Sequence, residues 1–381
     1  QLRRGRVGGR GRRRQRRCCH GRDQGYRDSP MHGAPPCAFS GYVGSIGVRG
    51  LGTEIFGGFR LSPSAITLVR VTRRVAVVVL GVVAALLTPT SASADADLPG
   101  WGLDRIDQRG LPLDGAYAPP ADGTGVTVYL VDTGLDVSNS EFEGRASLGI
   151  DLTGTGVTDC ADEQGVGHGT FVAGIAGGAT TGVAPKAALV EVQALGCSEG
   201  GSTMTVAEQR RAVVKAARWI RLNAVRPAVV NMSLAFPGSA RVDRAVQRLV
   251  ASGVPVVAAA GNQGADACSK SPARVSSVIT VGASTQKDRP WSGSNRGRCV
   301  DLWAPGKGIT SVAFEGGVFR YVGVGATSWA TPFVTGAAAL YLQTHPDADA
   351  AEVHRELRRS ATRGALEGLS AGSPNRLLFV S

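Results

Sequence analysis

Residues 125–261 alternate short apolar runs with longer amphipathic segments, and this alternation restricts the fold more than any other feature of the sequence. Residues 205–222 and 240–253 repeat apolar side chains at helical spacing, and Gly253 ends the second segment as a helix stop signal. The apolar runs, each typical of a strand buried on both faces, cover residues 125–134, 187–195, 228–235 and 254–261. Strands and helices in alternation predict an α/β fold with a doubly wound, mostly parallel sheet and helices on both faces.

Three glycine-containing segments carry side chains capable of chemistry. Asp132 follows the first apolar run, His168 begins a predicted helix in GVGHGTFVAGIAGG, and Ser328 begins another in GVGATSWATP. Taken separately, each has an ordinary structural explanation: a turn former, a satisfied imidazole at a helix start and an N-cap. Taken together, they supply the hydroxyl nucleophile, the imidazole base and the orienting carboxylate that acyl transfer requires.

Asn262 adds a fourth candidate, because it follows an apolar run and a glycine in VVAAAGNQG. A side-chain amide can donate a hydrogen bond to the oxyanion that develops in the transition state. Asp132 and Asn262 both follow strands of the predicted sheet, and sites in such sheets form at the carboxyl ends of the strands. The sequence therefore predicts that these two side chains border one site.

The chain resembles the subtilisin-like serine proteases, especially the proteinase K subgroup and its bacterial aqualysin-like members. The resemblance rests on Asp132-Thr133-Gly134, His168-Gly169-Thr170 and Thr327-Ser328-x-Ala330-x-Pro332, which occur in the Asp, His, Ser order of that family. Further matching segments are residues 101–115, 231–234, 259–284, 299–306 and 373–378. The resemblance implies a single subtilisin-like peptidase domain over residues 95–381. Members of this family usually carry a pro-domain between the signal peptide and the protease, and none is evident in this sequence.

The resemblance also implies a role for each matching residue. Ser328 attacks the peptide carbonyl, His168 is base and then acid, Asp132 orients His168, and Asn262 donates to the oxyanion. Peptide substrates bind as an added strand between two edges, and an apolar pocket favours apolar or aromatic residues before the cut. The residues implied in substrate binding are Glu199, Gly200 and Gly201 on one edge, Ser233, Leu234 and Ala235 on the other, and Ala259, Ala260 and Gly261 in the pocket wall.

Four cysteines lie in the predicted domain: Cys160, Cys197, Cys268 and Cys299. An even number of cysteines predicts two disulfides in an oxidising compartment, and the sequence alone leaves three pairings open. Metal ligation is the rival explanation, although the four include no C-x-x-C pair and no nearby histidine. The resemblance implies the pairs Cys160–Cys197 and Cys268–Cys299. It also implies structural calcium, held by Asp301 and the carbonyls of Ser276 and Val278, and no cofactor for catalysis.

The basic charge of the chain belongs to its first part. The formal net charge is +12, yet residues 1–74 contain 16 Lys and Arg against 3 Asp and Glu, and residues 95–381 carry −1. Residues 70–94 have a basic stretch, an apolar run at 75–87 and small residues ending at Ala94, which predicts a signal peptide cleaved there and secretion. A transmembrane helix is the alternative, but that apolar run is shorter than the ~20 residues needed to span a bilayer.

Residues 1–69 form a low-complexity basic leader. It is interpreted either as a nucleic-acid-binding arm or as upstream sequence translated ahead of the true start. For the mature domain the prediction is a monomer that acts on protein and peptide substrates, with no nucleic-acid partner and no stable membrane association.

Several residues depart from the family pattern. Ala326 replaces a usual glycine before Thr-Ser, Ala235-Phe236 replaces a usual Gly-Gly, and Phe171 and Trp329 replace a usual histidine and methionine. Ala326 and the Ala235-Phe236 pair predict a crowded site with a narrower substrate range, and Ala326 predicts strain if its position needs a positive φ. Two rival functions remain: a catalytically impaired homologue that acts as a binding or scaffold protein, and an esterase. The G-x-S-x-G elbow typical of esterases is absent around Ser328.

Overall fold

A computed structural model describes residues 100–156, 158–162, 164–197 and 204–380 of the 381-residue chain. The predicted leader and signal peptide lie outside the described residues, as do Glu199, Gly200 and Gly201 of one predicted substrate edge. Within the described part of the chain, no helix is long and apolar enough to cross a bilayer.

Helices and strands alternate along the described residues as the sequence predicts. The helices are α1 (Trp101–Ile106), α2 (His168–Gly177), α3 (Val206–Asn223), α4 (Ala240–Val250), α5 (Thr327–Thr344) and α6 (Ala350–Ser360). The strands are β1 (Thr127–Leu130), β2 (Ala146–Asp151), β3 (Ala188–Gln193), β4 (Ala228–Met232), β5 (Phe236–Pro237), β6 (Val256–Ala259), β7 (Lys270–Ser271), β8 (Ile279–Ser284), β9 (Leu302–Pro305), β10 (Thr310–Val312), β11 (Val318–Arg320), β12 (Thr362–Arg363) and β13 (Arg376–Leu377).

Nine of these strands form one sheet in the order β12-β13-β9-β8-β6-β4-β1-β3-β2. All neighbouring pairs are parallel except β12 and β13, which are antiparallel. The chain leaves β1 for β2 and β3 on one side and then returns to β4 on the other, so the winding reverses at β1. The doubly wound fold is confirmed, and such a reversal opens a crevice at the carboxyl ends of the central strands.

The two faces of the sheet bury separate cores. Val128 and Leu130 of β1 pack in a core that includes apolar residues of α2 and α5. Tyr129 and Val131, which point to the opposite face, belong to a core with apolar residues of α3 and α4. Because successive side chains of a strand point to opposite faces, a short continuous apolar run feeds both cores. The central strands are therefore held from both sides, which fixes the positions of the loops that follow them.

Local sequence signals explain where the helices begin and end. The Thr205 hydroxyl accepts from the Glu208 backbone N–H at 3.3 Å, and the Glu208 carboxylate accepts from the Thr205 backbone N–H at 2.8 Å, which forms a capping box for α3. In α4, the apolar face predicted from the sequence is buried, and Gly253 adopts a φ of +90° just after the helix. These signals confirm both predicted amphipathic helices.

Candidate active site

Asp132 lies in the loop that follows β1, and its side chain is fully buried. Its backbone carbonyl accepts from Ala194 and Leu195 at 2.9 and 3.0 Å, which ties the loop to the end of β3. Its Oδ1 accepts from the Thr133 backbone N–H at 2.8 Å and lies 2.6 Å from His168 Nδ1. The carboxylate is therefore fixed by the backbone of its own loop, with one oxygen directed at the imidazole.

His168 is the first residue of α2, and its side chain is 35% exposed. Gly169 lets this helix approach the Asp132 loop, because a Cβ at Gly169 would lie 1.9 Å from the Gly134 carbonyl oxygen. Gly134 itself has a φ of +137°, and a Cβ there would lie 2.1 Å from the Thr158 carbonyl oxygen. The glycines of both motifs therefore allow the carboxylate and the imidazole to meet.

The pKa of His168 is set by opposing effects. Burial of the imidazole lowers the pKa, whereas the Asp132 carboxylate, its hydrogen bond and the more distant Asp159 raise it, and the pKa ends above its ordinary value. The hydrogen bond at Nδ1 directs Nε2 away from Asp132. The neutral imidazole can therefore accept a proton at Nε2, while the pair with Asp132 stabilises the imidazolium.

Asp159 connects the two motif loops beneath His168, and it is absent from the sequence-based prediction. Its Oδ2 accepts from the Thr170 backbone N–H and hydroxyl at 2.8 and 2.6 Å. Its Oδ1 accepts from the Thr133 hydroxyl at 2.8 Å and from the Cys160 backbone N–H at 2.7 Å. Burial raises the pKa of this carboxyl, and the hydrogen bonds only partly offset that increase. The threonines of both motifs therefore serve to anchor the loops through one buried carboxylate.

Ser328 is the second residue of α5, and its side chain does not cap that helix, because the N-cap residue is Ala326. Its hydroxyl donates to the Ser233 carbonyl at 3.1 Å, and the Ser233 hydroxyl donates to the Ser328 carbonyl at 2.7 Å. Among the described residues, no hydrogen bond joins Ser328 to His168. The capping interpretation is wrong for Ser328, and its hydroxyl lies at the junction of α5 with the loop after β4.

The start of α5 lies beside the start of α2. Phe171 and Trp329, on these first turns, have ring centroids 5.6 Å apart. A cleft of about 360 Å³ runs along this contact and is lined by His168, Ser233 and Trp329 among others. Ser233 therefore links the two halves of the site, since it lines the cleft with His168 and hydrogen-bonds with Ser328.

Asn262 follows β6 and is exposed. Its Oδ1 accepts from the Thr327 backbone N–H at 2.9 Å and from the Thr327 hydroxyl at 2.7 Å. Because the oxygen is fixed by the residue that precedes Ser328, the amide Nδ2 has a fixed direction and no hydrogen-bond partner among the described residues. Asn262 can therefore offer a preorganised donor near the start of α5.

Asn295 holds the Asn262 loop in place, and it too is absent from the sequence-based prediction. It is fully buried, donates from Nδ2 to the Ala260 carbonyl at 2.8 Å, and accepts at Oδ1 from Gln263 and Ala265 at 3.1 and 2.9 Å. A side-chain amide that satisfies three backbone groups of one loop restricts the conformation of that loop. No local motif marks this role, because the contact spans more than thirty residues.

The predicted substrate edge at residues 233–235 directly follows β4. Ala235 is half-buried. A Cβ built at Gly261 would lie 3.4 Å from the Ala235 Cβ, so this edge faces the predicted pocket wall. Ala259 and Ala260 of that wall are buried. Ala326 has a φ of −153°, an extended conformation open to any residue, so the condition for strain at this alanine, a positive φ, is not met.

Aromatic side chains form one wall of the cleft, which the sequence does not predict. Tyr321 and Trp329 stack with ring centroids 4.6 Å apart, and Phe171 meets Tyr321 edge-on at 5.0 Å. The Tyr321 hydroxyl donates to the Asp162 carboxylate, and burial raises the Tyr321 pKa further from neutrality. The departures at Phe171 and Trp329 from the family pattern therefore build one apolar surface together with Tyr321.

The structure contains the two disulfides that the resemblance implies, Cys160–Cys197 and Cys268–Cys299. Cys160 and Cys197 both line the cleft that His168 lines. The Cys160 backbone N–H also donates to Asp159. The first disulfide therefore fastens the segment after β3 to the loop that supports the Asp132 and His168 pair.

Asp301, the one side-chain ligand among the predicted calcium residues, is engaged by other groups. The Asp301 Oδ1 lies 3.1 Å from His354 Nε2 and 3.8 Å from Arg358 Nη1, and its Oδ2 accepts from the Thr280 backbone N–H at 3.0 Å. Calcium needs several oxygen ligands, and a guanidinium beside the carboxylate opposes its binding. No cluster of metal-ligating side chains occurs among the described residues.

Glu191 in β3 is a buried carboxyl close to the site that the sequence does not reveal. It is fully buried, and neither of its carboxyl oxygens has a well-formed hydrogen bond among the described residues. Burial, with the negative charges of Asp132 and Asp159 nearby, raises its pKa well above the ordinary value. Glu191 therefore favours the protonated, neutral form over a pH range in which an exposed glutamate is ionised.

Replacement of Glu191 should change how stability depends on pH. Between the ordinary glutamate pKa and the raised folded pKa, the folded state binds more protons than the unfolded state, so stability falls as pH rises. In the parent, the midpoint of thermal unfolding should therefore fall between pH 5 and pH 8 because of Glu191. We expect this fall to be smaller in Glu191→Gln, by on the order of 5 °C. Both the parent and the variant should be measured in a Ser328→Ala background, and the exposed Glu315→Gln is the control. Equal pH slopes in the parent and Glu191→Gln would contradict this.

Comparison with known proteins gives consistent matches over this region. The sequence profile of the Subtilase family matches residues 123–374. An extracellular serine proteinase of Thermus sp. (strain Rt41A) is 47% identical over 282 residues, which is 74% of this chain and 66% of that protein. The alkaline serine exoprotease A of Vibrio alginolyticus is 45% identical over 289 residues, 75% of this chain and 52% of that protein.

A solved structure also resembles this chain. The crystal structure of a cold-adapted subtilisin-like serine proteinase matches with a TM-score of 0.67 and 43% identity, over 74% of this chain and 98% of that one. The chain thus spans just under two thirds of the Thermus relative and about half of the Vibrio relative, but nearly all of the solved structure.

Proposed function

Since the chain belongs to the subtilase family, we propose that it is a secreted serine endopeptidase that hydrolyses peptide bonds through an acyl-enzyme on Ser328. The observation that carries the proposal is the buried Asp132 carboxylate 2.6 Å from His168 Nδ1, in a cleft bordered by the start of the Ser328 helix. Secretion is proposed from the signal-peptide pattern, and the Thermus relative is named an extracellular proteinase.

In the first half of the reaction, the Ser328 hydroxyl turns from the Ser233 carbonyl and donates to His168 Nε2. The serine oxygen attacks the peptide carbonyl as the imidazole takes its proton, and Asp132 stabilises the resulting imidazolium. The Asn262 Nδ2 and the Ser328 backbone N–H donate to the oxyanion of the tetrahedral intermediate. His168 then gives its proton to the leaving amine, which departs and leaves the acyl-enzyme.

In the second half, His168 takes a proton from water, which attacks the acyl carbon. Collapse of the second tetrahedral intermediate returns the proton to the Ser328 oxygen and releases the acid product. The same oxyanion donors serve both steps. Because His168 must be neutral to act as base, its raised pKa moves the acid limb of the pH profile upward.

The proposed substrates are polypeptides with an apolar or aromatic residue before the cut. Ala259, Ala260 and Gly261 supply small walls without charge, and residues 233–235 offer an edge for an added strand. The aromatic wall of Phe171, Tyr321 and Trp329 adds apolar area on the His168 side. The alanine at 235 beside Gly261 narrows this space, which supports a restricted substrate range.

The function is tested by labelling the protein purified from culture medium with a phosphonofluoridate and mapping the labelled peptide. We expect casein hydrolysis that the reagent abolishes, with the label on Ser328, and an N-terminus no earlier than Asp95. Unfolded protein provides the control, because its serine should remain unlabelled. A folded protein that takes no label and does not cleave casein would instead be an impaired homologue, in which the Ser328 hydroxyl keeps its hydrogen bond to the Ser233 carbonyl.

A further inference from the structure

A second pocket, which shares no lining residue with the His168 cleft, is formed mainly by α6 and the strand pair that follows it. It has a volume of about 540 Å³, within the common range of small-molecule sites of about 300–1,000 Å³. His354 and Arg358 of α6, Arg363 of β12 and Arg376 of β13 line it, and no Asp or Glu is among its lining residues in the described part of the chain. The pocket is therefore walled by positive charge.

The register of β12 and β13 places two of these cations against each other. Arg363 lies directly opposite Arg376 in the antiparallel pair. Like charges directly opposite on neighbouring strands are destabilising. Among the described residues, neither side chain forms a hydrogen bond or an ion pair. Burial and the positive charges of Arg358 and Arg363 lower the pKa of Arg376, only partly opposed by Asp301.

Nearby carboxylates leave most of this charge unneutralised. Glu356 is engaged by Arg359 at 2.6 Å, and Asp301 is shared by His354 at 3.1 Å and Arg358 at 3.8 Å. His354 is 9% exposed, and its Nε2 lacks a well-formed hydrogen bond despite the closeness of Asp301. Arg363 and Arg376 are left as planar donors that face the same space, which suits bidentate contacts to an anion.

We propose that the pocket of Arg358, Arg363 and Arg376 binds a small multivalent oxyanion of the phosphate or sulfate class. Ser276, predicted from the resemblance as a calcium ligand, lines this same pocket. The chain thus presents guanidinium groups where the resemblance implies a bound cation. A bound oxyanion accepts from the arginines that repel one another, and it fastens α6 to the strand pair β12 and β13.

The test compares thermal unfolding of the full chain carrying Ser328→Ala with and without millimolar pyrophosphate, at ionic strength matched with sodium chloride. We expect a rise in the midpoint of about 5 °C at a hundred-fold excess over Kd. The double variant Arg363→Gln/Arg376→Gln should lose this rise. In buffer without pyrophosphate, the same variant should unfold at a higher temperature than the parent, because the repulsion between the two strands is removed.

The matched control is Arg218→Gln/Arg221→Gln on the exposed face of α3, which removes the same charge away from the pocket. It should keep the full response, and calorimetry should give at least a ten-fold weaker Kd for pyrophosphate in Arg363→Gln/Arg376→Gln than in the control. An equal response in both double variants would show general charge screening and overturn the proposal. The proposal would also be overturned if calcium, acting through this pocket, raised the unfolding midpoint of the parent more than pyrophosphate does.

Discussion

Replacement of Ser328 by alanine should lower kcat for casein or peptide hydrolysis by a factor of about 10⁶. This corresponds to about 8 kcal/mol of transition-state stabilisation, because each factor of ten is about 1.36 kcal/mol. The loss is so large because the covalent path disappears with the hydroxyl, and the imidazole has no serine proton to remove. The rate that remains is the part that the Asn262 donor and substrate binding supply to attack by water.

The matched control for Ser328→Ala is Ser284→Ala, since Ser284 is also a buried serine and its hydroxyl has no hydrogen-bond partner in the described part of the chain. That variant should retain the parent activity. Adding His168→Ala to Ser328→Ala should cause little further loss, because the two groups act as one unit. A Ser328→Ala protein with more than a hundredth of the parent kcat would exclude the acyl-enzyme mechanism.

The sequence predicts those parts of the site that follow from short-range rules. Asp132 and Asn262 follow strands of a parallel sheet, so topology alone brings them to the same edge. The glycines beside Asp132 and His168 appear in the sequence as a motif, and the structure shows the reason, because the Gly134 and Gly169 segments come into direct contact. The alternating helices and strands are confirmed for the same reason, since their periodicity is local.

The parts that could not be predicted depend on contacts between distant segments. Asp159, Glu191 and Asn295 are single polar residues without a local pattern, and only burial among particular neighbours reveals their roles. The sequence leaves open whether Ala326 is strained, because the residue type does not reveal the backbone conformation, which is extended. The surroundings of Asp301 could not be predicted for a related reason: Asp301 matches the motif, but the imidazole and guanidinium that α6 brings to it are not visible in that motif.

Asp132→Asn should lower kcat by a factor of about 10⁴ while leaving the fold intact. In the parent, the carboxylate accepts from His168 Nδ1–H, so Nε2 is free to accept the serine proton. An asparagine amide can instead donate to Nδ1, which places the proton on Nε2 and leaves no acceptor for Ser328. The loss should therefore fall on kcat, with KM for a peptide substrate changed much less, because no substrate-binding group is removed.

The pH profile of Asp132→Asn distinguishes a changed imidazole tautomer from a general disruption of the site. The Asp132 charge and its hydrogen bond raise the His168 pKa against the effect of burial, so their removal should lower that pKa and move the acid limb of kcat/KM to lower pH. Asp136→Asn is the control, because Asp136 is a buried aspartate of the same loop that accepts from Ser138 rather than from the imidazole. It should keep the parent acid limb. If Asp132→Asn also kept that limb, the carboxylate would not govern the imidazole, and His168 would have to be oriented by another group.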